Sequence, residues 1–337
     1  MTQRQRFWAE EWLKPPKTVA AVSLKGLRYC GHVPRPGFSI FSISVMYYVM
    51  AMHKKTVVVT GGAGLIGPSL IELLLPKYRV VSLDNYFIGS EKNHVKDAEY
   101  IKGHTKDIES LLGDESPSTI FHLGEYSRVE QSFNDIEMVW ESNVAGTFRV
   151  LEYWRKRKCK LVYAGSSTKF ADGGLGRDQS PYAWMKASNT ELVKNYGNWF
   201  GLPFAITYFY NGYGPRELAE GPYASVLGRF KKQYAKGEPI TVVAPGTQRR
   251  NFTHVDDLAH GLAMVGEKGH GDEYGIGSPE SFTMLEIAQM FGGEIKMLPE
   301  RKGNRLESIV DTSRVEKEFG WKAEHTVKEY IESLKHV

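Results

Sequence analysis

Tyr182 and Lys186 stand four residues apart in the run SPYAWMK. That spacing puts both side chains on one face of a helix. A free phenol has a pKa near 10, so about one tyrosine in a thousand is ionised at neutral pH, and a neighbouring ammonium favours the phenolate. A tyrosine so placed can take the proton of a hydroxyl group as a general base. The Y-x-x-x-K pattern alone is common on helix surfaces, so its meaning depends on its surroundings. Just upstream, AGSSTKF offers the hydroxyls of Ser166, Ser167 and Thr168.

A second cluster lies near residue 60. In TGGAGLIG, Gly61, Gly64 and Gly67 recur at three-residue spacing, and Gly62, Gly64 and Gly67 satisfy G-x-G-x-x-G. The run follows a β-branched strand, TVVVT, and opens an apolar helical stretch that reaches Leu75. Glycines there permit a tight turn and close approach of a pyrophosphate, which then sits on the helix N-terminus. Asp84 ends the next apolar run, RVVSLD, 17 residues after Gly67. A carboxylate there accepts hydrogen bonds from ribose hydroxyls and repels a 2′-phosphate, which predicts NAD rather than NADP.

The elements that must position these groups alternate. Strands are predicted at Thr56–Thr60, Arg79–Asp84, Ser118–Leu123, Lys160–Gly165 and Phe204–Tyr210, with helices at Val139–Lys158 and Tyr182–Trp199. The apolar positions of the first helix are Val144, Phe148, Val150, Leu151 and Trp154. This alternation predicts an α/β fold, a doubly wound parallel (Rossmann) sheet. AGSSTKF then falls at a strand's C-terminal edge, where ligands bind in such sheets. After Tyr213 the pattern becomes mixed, predicting a smaller C-terminal α/β lobe. The expected division is an NAD-binding Rossmann domain at 52–210 and a mainly substrate-binding lobe at 211–337, with some chain returning to the Rossmann domain.

Composition narrows the classes further. The chain has 337 residues, 42% of them apolar and 24% charged, as in soluble globular proteins and unlike disordered or disulfide-scaffold chains. Residues 1–51 carry seven basic and two acidic side chains, so their +5 exceeds the chain's +4 and leaves the remainder at −1. A near-neutral body argues against a nucleic-acid partner. Cys30 and Cys159 are the two cysteines, which points to a reducing compartment and a cytoplasmic location. Residues 1–51 form an atypical extension without phased apolar pattern, disordered or non-native, and Met50 or Met52 can serve as the true start. Its uncharged stretch, Gly37–Met52, is shorter than the ~20 residues a bilayer-spanning helix needs, so no membrane anchor is expected.

Together these motifs resemble the extended short-chain dehydrogenase/reductase family, the NAD-dependent sugar-nucleotide epimerases and dehydratases. The resemblance spans about residues 54–333. It rests on TGGAGLIG, the pairs Asp84–Asn85 and Asp107–Ile108, HLGEYSRVEQS, NVAGT, GSST, YAWMK, YFYNGYGPRE, RRNFTHVDDLAHG and VDTSRVEKEFGW. It implies Tyr182 as base, Lys186 as its electrostatic partner and ribose ligand, and Ser166, aided by Thr168, at the reacting sugar oxygen. Gly61, Gly64, Leu65, Ile66, Gly67, Asp84 and Asn85 would hold the dinucleotide. Asp107 and Ile108 would flank the adenine and Leu123 the nicotinamide side. Ser127, Asn211, Arg250, Arg301 and Ser308 would contact the nucleotide sugar, the two arginines as planar donors to its pyrophosphate. No metal is implied, and the family implies a homodimer through helices near 140–158 and 182–199.

Family dehydratases and decarboxylases carry an acid just after the Ser/Thr. Here those positions are Ser167 and Thr168, which favours 4-epimerisation of a nucleotide-activated hexose, with a UDP-hexose preferred. The alternatives are a dehydratase, decarboxylase or reductase of the same fold, or a non-catalytic NAD-binding regulatory protein. The sequence departs from the family at Phe170, where a tyrosine is usual, and at Glu125, which replaces a small residue. Ser127 or Arg128 stands where some epimerases place a polar or basic cofactor contact. The loop ADGGLGRDQSP is short, and its Arg177 and Asp178 read as surface charges.

Overall fold

The computed structural model describes residues 54–300 and 310–335. Its strands are β1 (Thr56–Thr60), β2 (Arg79–Asp84), β3 (Glu99–Lys102), β4 (Thr119–His122), β5 (Lys160–Ser166), β6 (Phe204–Phe209), β7 (Gly212–Tyr213), β8 (Ile240–Val243), β9 (Arg249–Asn251), β10 (Thr253–His254), β11 (Gly271–Ile276), β12 (Ser281–Thr283) and β13 (Ile295–Leu298). Seven strands form one parallel sheet in the order β11-β6-β5-β4-β1-β2-β3. The central strands are buried on both faces, which is why they read as continuous apolar runs rather than alternating ones.

The five strands expected from sequence are all present, within a residue of their predicted ends. β3 and β11, the two edges, were not expected. β3 reads EYIK and is half exposed. β11 carries the chain back from the mixed region to pair with β6. The helix Val255–Lys268 returns with it and packs against the helix Gly67–Leu74.

One core cluster joins Val58, Val81, Leu83, Ile120 and Leu161 of the sheet to Leu151 and Trp154 of a covering helix. That helix begins at Ile136, passes through a wide π-helical turn at Trp140–Gly146 and continues as Thr147–Arg157. A π turn accommodates an extra residue and shifts the helix phase. Phe148, read from sequence as part of the apolar stripe, is accordingly 41% exposed. A second cluster, including Tyr213, Phe230, Ile240, Phe252 and Phe291, forms the core of the C-terminal mixed region. There β8 pairs with β13 and β9 with β12. Among the described residues no helix is long and apolar enough to cross a membrane.

Candidate active site

Ser180 caps the helix Pro181–Phe200, its hydroxyl accepting from the Ala183 N–H at 3.1 Å, and Pro181 occupies the first helical position. Both are preferred helix starts. They place Tyr182 in the first turn and Lys186 one turn later, each buried. Ser166 is the last residue of β5, and its Oγ is a shared acceptor. It receives the Tyr182 hydroxyl at 3.2 Å, the Thr168 hydroxyl at 3.0 Å and the Thr168 N–H at 3.3 Å. Sequence reasoning placed these four residues in one site, and the structure brings them together.

Lys186 donates to the Glu125 carboxylate and to the Ala164 carbonyl, and its ammonium lies 4.4 Å from the centre of the Tyr163 ring. The other Glu125 oxygen accepts from Thr147 at 2.8 Å, Asn189 at 2.8 Å and Tyr163 at 3.2 Å. Burial works against the Glu125 charge, but the Lys186 ammonium and the Thr147 hydroxyl outweigh it and hold the carboxyl below its usual range. His122 bridges Thr60 at 2.7 Å and Thr147 at 3.0 Å; burial lowers it from 6.5 to about 4, so its ring is neutral near pH 7. Burial, then the Glu125 charge, raises the Tyr163 phenol well above 10.

Glu125, Ser166, Thr168, Tyr182 and Lys186 line a cleft of about 600 Å³ that also includes the glycine turn after β1. Gly61 has φ +76°, and a Cβ there would lie 2.8 Å from the Gly124 N. A Cβ on Gly67 would lie 2.5 Å from the Gly61 carbonyl oxygen. Glycine is therefore required at both positions. A Cβ on Gly64 would meet only the Gly61 oxygen, at 3.4 Å, so the turn is open on the cleft side. Leu65 and Ile66 line the cleft where the helix Gly67–Leu74 begins, a helix end suited to phosphate.

Asp84 is buried at the end of β2. One of its oxygens accepts from the Ala63 N–H at 2.9 Å and the other from the Tyr86 N–H at 2.8 Å. The carboxylate thus ties the glycine turn to β2, and each oxygen retains acceptor capacity. Asn85 and Leu123 line the same cleft. Asp107 and Ile108 do not. Ile108 is fully buried in the sheet core and Asp107 precedes its short helix, while Gly103 and Thr105 line the cleft nearby.

Ser127, Asn211 and Arg250 line the cleft. Asn211 adopts φ +39° and donates to the Asn251 carbonyl at 2.8 Å, which anchors it to β9. Arg250 donates to the Arg249 carbonyl at 2.8 Å. Arg301 and Ser308, like residues 1–51, lie outside the described residues. Arg177 pairs with Glu191 at 3.0 Å, away from the cleft, which agrees with a surface role.

Two polar groups of the cleft had no weight in the sequence reading. Glu217 is raised by burial, and accepts from Ser225 at 2.5 Å. Arg128 was given only a positional match. It is lowered by burial, and its Nε donates to the Tyr223 carbonyl at 2.7 Å. Both lie within runs that carry the resemblance, HLGEYSRVEQS and YFYNGYGPRE, but only the fold brings them to one cleft.

Residues 57–277 match the model of the NAD dependent epimerase/dehydratase family. The chain belongs to this family. It is 30% identical over 260 residues to a UDP-N-acetyl-alpha-D-glucosaminuronate decarboxylase of Bacillus cytotoxicus, covering 70% of this chain and 79% of that protein. It is 28% identical over 298 residues to a putative UDP-glucose 4-epimerase of Methanocaldococcus jannaschii, covering 82% and 96%. The crystal structure of the UDP-glucose 4-epimerase of Thermus thermophilus in complex with NAD superposes with a TM-score of 0.77 at 26% identity, covering 83% and 98%.

The protein is thus an NAD-dependent enzyme of the nucleotide-sugar epimerase, dehydratase and decarboxylase family. Its Rossmann sheet and its glycine turn at Gly61–Gly67, with the buried Asp84 behind it, fit the dinucleotide.

Proposed function

We propose that this enzyme is a 4-epimerase of a nucleotide-activated hexose, with a UDP-hexose as favoured substrate. The observation that carries the reading is the position of acids around Ser166. Thr168 stands where dehydration or decarboxylation needs a carboxylate, and its hydroxyl is spent on Ser166 Oγ. The nearby carboxylate, Glu125, is already paired with Lys186.

NAD, when bound, supplies the hydride acceptor and donor. Tyr182 takes the proton of the sugar C4 hydroxyl as that carbon becomes a carbonyl, and returns it when the alcohol re-forms. Ser166 holds the reacting oxygen by hydrogen bond, and Lys186 supports the phenolate and binds the nicotinamide ribose. Thr168 orients Ser166. Arg250 and Asn211 hold the sugar nucleotide's phosphates, Arg250 as a planar donor. Such a grip leaves the ketose free to present its other face. Gly61, Gly64, Leu65, Ile66 and Gly67 form the pyrophosphate cradle, Asp84 and Asn85 the adenosine ribose site, and Leu123 the nicotinamide wall.

A second reading, decarboxylation of a nucleotide uronate, is favoured by the named activity of the Bacillus relative. It shares the C4 oxidation and differs in the fate of the ketose. The same proposal includes a homodimer, since the helices Thr147–Arg157 and Pro181–Phe200 pack side by side and expose Phe148, Trp184, Trp199 and Phe200. A cytoplasmic location goes with it.

The test is incubation of the full chain with NAD and a panel of UDP-, GDP- and dTDP-hexoses and hexuronates, followed by proton NMR of the anomeric region. A C4 epimer supports the proposal. A 4-keto-6-deoxy sugar or a pentose product overturns it.

A further inference from the structure

Away from the cleft, two imidazoles and a carboxylate meet at the start of the helix Val255–Lys268. His254 ends β10 and caps that helix, Asp256 stands in its first turn, and His325 precedes the helix Val327–Leu334. One potential ligand atom from each lies within 4.8 Å of the other two. None of the three lines the cleft. His254 and Asp256 belong to the run RRNFTHVDDLAHG, but His325 belongs to none of the runs that carry the family resemblance. The resemblance implies no metal, and only the fold completes this set.

Each group is held so that one donor atom remains for the cluster. Asp257, 3% exposed, orients His325: its Oδ1 accepts from His325 Nδ1 at 2.8 Å, and its Oδ2 accepts the N–H groups of Glu324 and His325 at 3.1 and 3.0 Å. The proton then sits on Nδ1, and Nε2 keeps its lone pair. A carboxylate behind a histidine in this way is the usual support of a metal ligand. Asp256 accepts the Ser69 hydroxyl on Oδ1 at 2.9 Å, which leaves Oδ2 turned to His254, 3.6 Å from Nδ1. The His254 ring packs edge-on to Tyr213, with centroids 5.2 Å apart, and lies 4.6 Å from the His325 ring. Its Nδ1 accepts the Asp256 N–H at 3.3 Å, a long bond that a cation can replace.

Two imidazole nitrogens and one carboxylate oxygen suit zinc rather than calcium or magnesium, which take oxygen. Zinc bonds of about 2.0–2.1 Å place neighbouring donors of a tetrahedron roughly 3.3 Å apart. The His254–Asp256 edge is close to that separation, and the half-exposed His325 side chain can close the rest. The surrounding charge favours a cation. Asp256, Asp257 and Glu324 act on the two histidines. Arg216 reaches Ser69 Oγ at 3.2 Å, but it is paired with Glu72 at 2.6 Å.

We propose that His254, Asp256 and His325 bind one divalent cation of the zinc type, with water as the fourth ligand. The ion fastens the segment before the helix Val327–Leu334 to the start of the helix Val255–Lys268. Val327 and Ile331 of the former helix belong to the core of the C-terminal region, so the site stabilises that region. It stands apart from the reaction proposed for the cleft and does not depend on it.

The test uses the untagged full chain, stripped with EDTA and dialysed. Zn²⁺ is titrated by calorimetry and Co²⁺ by its visible absorption. One equivalent is expected to bind with a micromolar or lower Kd, and cobalt is expected to show the bands of a tetrahedral nitrogen–oxygen site. The melting temperature is expected to rise by about 5 °C at a hundredfold excess of Zn²⁺ over Kd. His325→Gln and Asp256→Asn, both at half-exposed positions, are each expected to weaken Zn²⁺ binding at least about tenfold. Without metal, both are expected to melt close to the parent. Failure to saturate with millimolar Zn²⁺ would overturn the proposal. So would undiminished affinity in both variants, which would place the ion elsewhere and leave the cluster a hydrogen-bonded cap.

Discussion

The Tyr182 hydroxyl donates to Ser166 Oγ at 3.2 Å across the mouth of β5. The two come from a helix start and a strand end that the parallel β5–β6 pairing holds in register, Ser166 opposite Phe209. The phenol and the serine thus converge on one point in the cleft, where a substrate hydroxyl can be shared between them. Tyr182→Phe keeps the ring and removes the proton acceptor. It is expected to lower kcat by about 10²- to 10⁴-fold, the usual worth of general-base catalysis, with NAD affinity little changed. Steady-state kinetics beside a cofactor titration checks this, and near-normal kcat would remove Tyr182 from the chemistry.

Asp84 joins the cofactor turn to β2 through Ala63 and Tyr86. Asp84→Asn keeps an acceptor and removes the negative charge. The preference for NAD over NADP is expected to narrow by about tenfold or more, because repulsion of the 2′-phosphate is lost. Titration with both cofactors measures it, and an unchanged ratio would place discrimination elsewhere.

His122 gives a pH dependence of known sign. Its folded pKa is lowered to about 4 from 6.5. The unfolded chain therefore binds the proton first as pH falls. The stabilisation is present above about pH 6.5 and is lost as pH falls through 4, about 3 kcal/mol in all. Thermal melts between neutral pH and pH 4 are expected to fall less steeply in His122→Gln than in the parent. Parallel slopes would contradict a buried neutral imidazole.

Trp199 is 63% exposed and Trp140 53%, large apolar areas on the helical side of the molecule. Light scattering is expected to give twice the 38.1 kDa chain mass, and Trp140→Glu with Trp199→Glu is expected to give a monomer. A monomeric parent would contradict the proposed dimer.

The sheet was legible because its strands are buried on both faces and contain runs such as TVVVT, and because Gly61, Gly64 and Gly67 mark where the chain leaves β1. Tyr182, Lys186, Ser166 and Thr168 were legible because they sit in two short runs. Phe148 was misread because a π turn breaks the regular phase that a periodicity argument assumes. Glu125 was visible as an unusual residue, but its partner lies 61 positions away, and only the fold joins β4 to the helix Pro181–Phe200.

The central claim is that hydride leaves and returns to the same sugar carbon, with no acid chemistry beside it. Turnover of the nucleotide sugar in heavy water, with the product examined by NMR, tests this most directly. The account predicts a C4 epimer with no deuterium bound to carbon and no release of carbon dioxide. Deuterium at C5 or C6, or loss of carbon dioxide, would contradict it and assign the cleft to dehydration or decarboxylation.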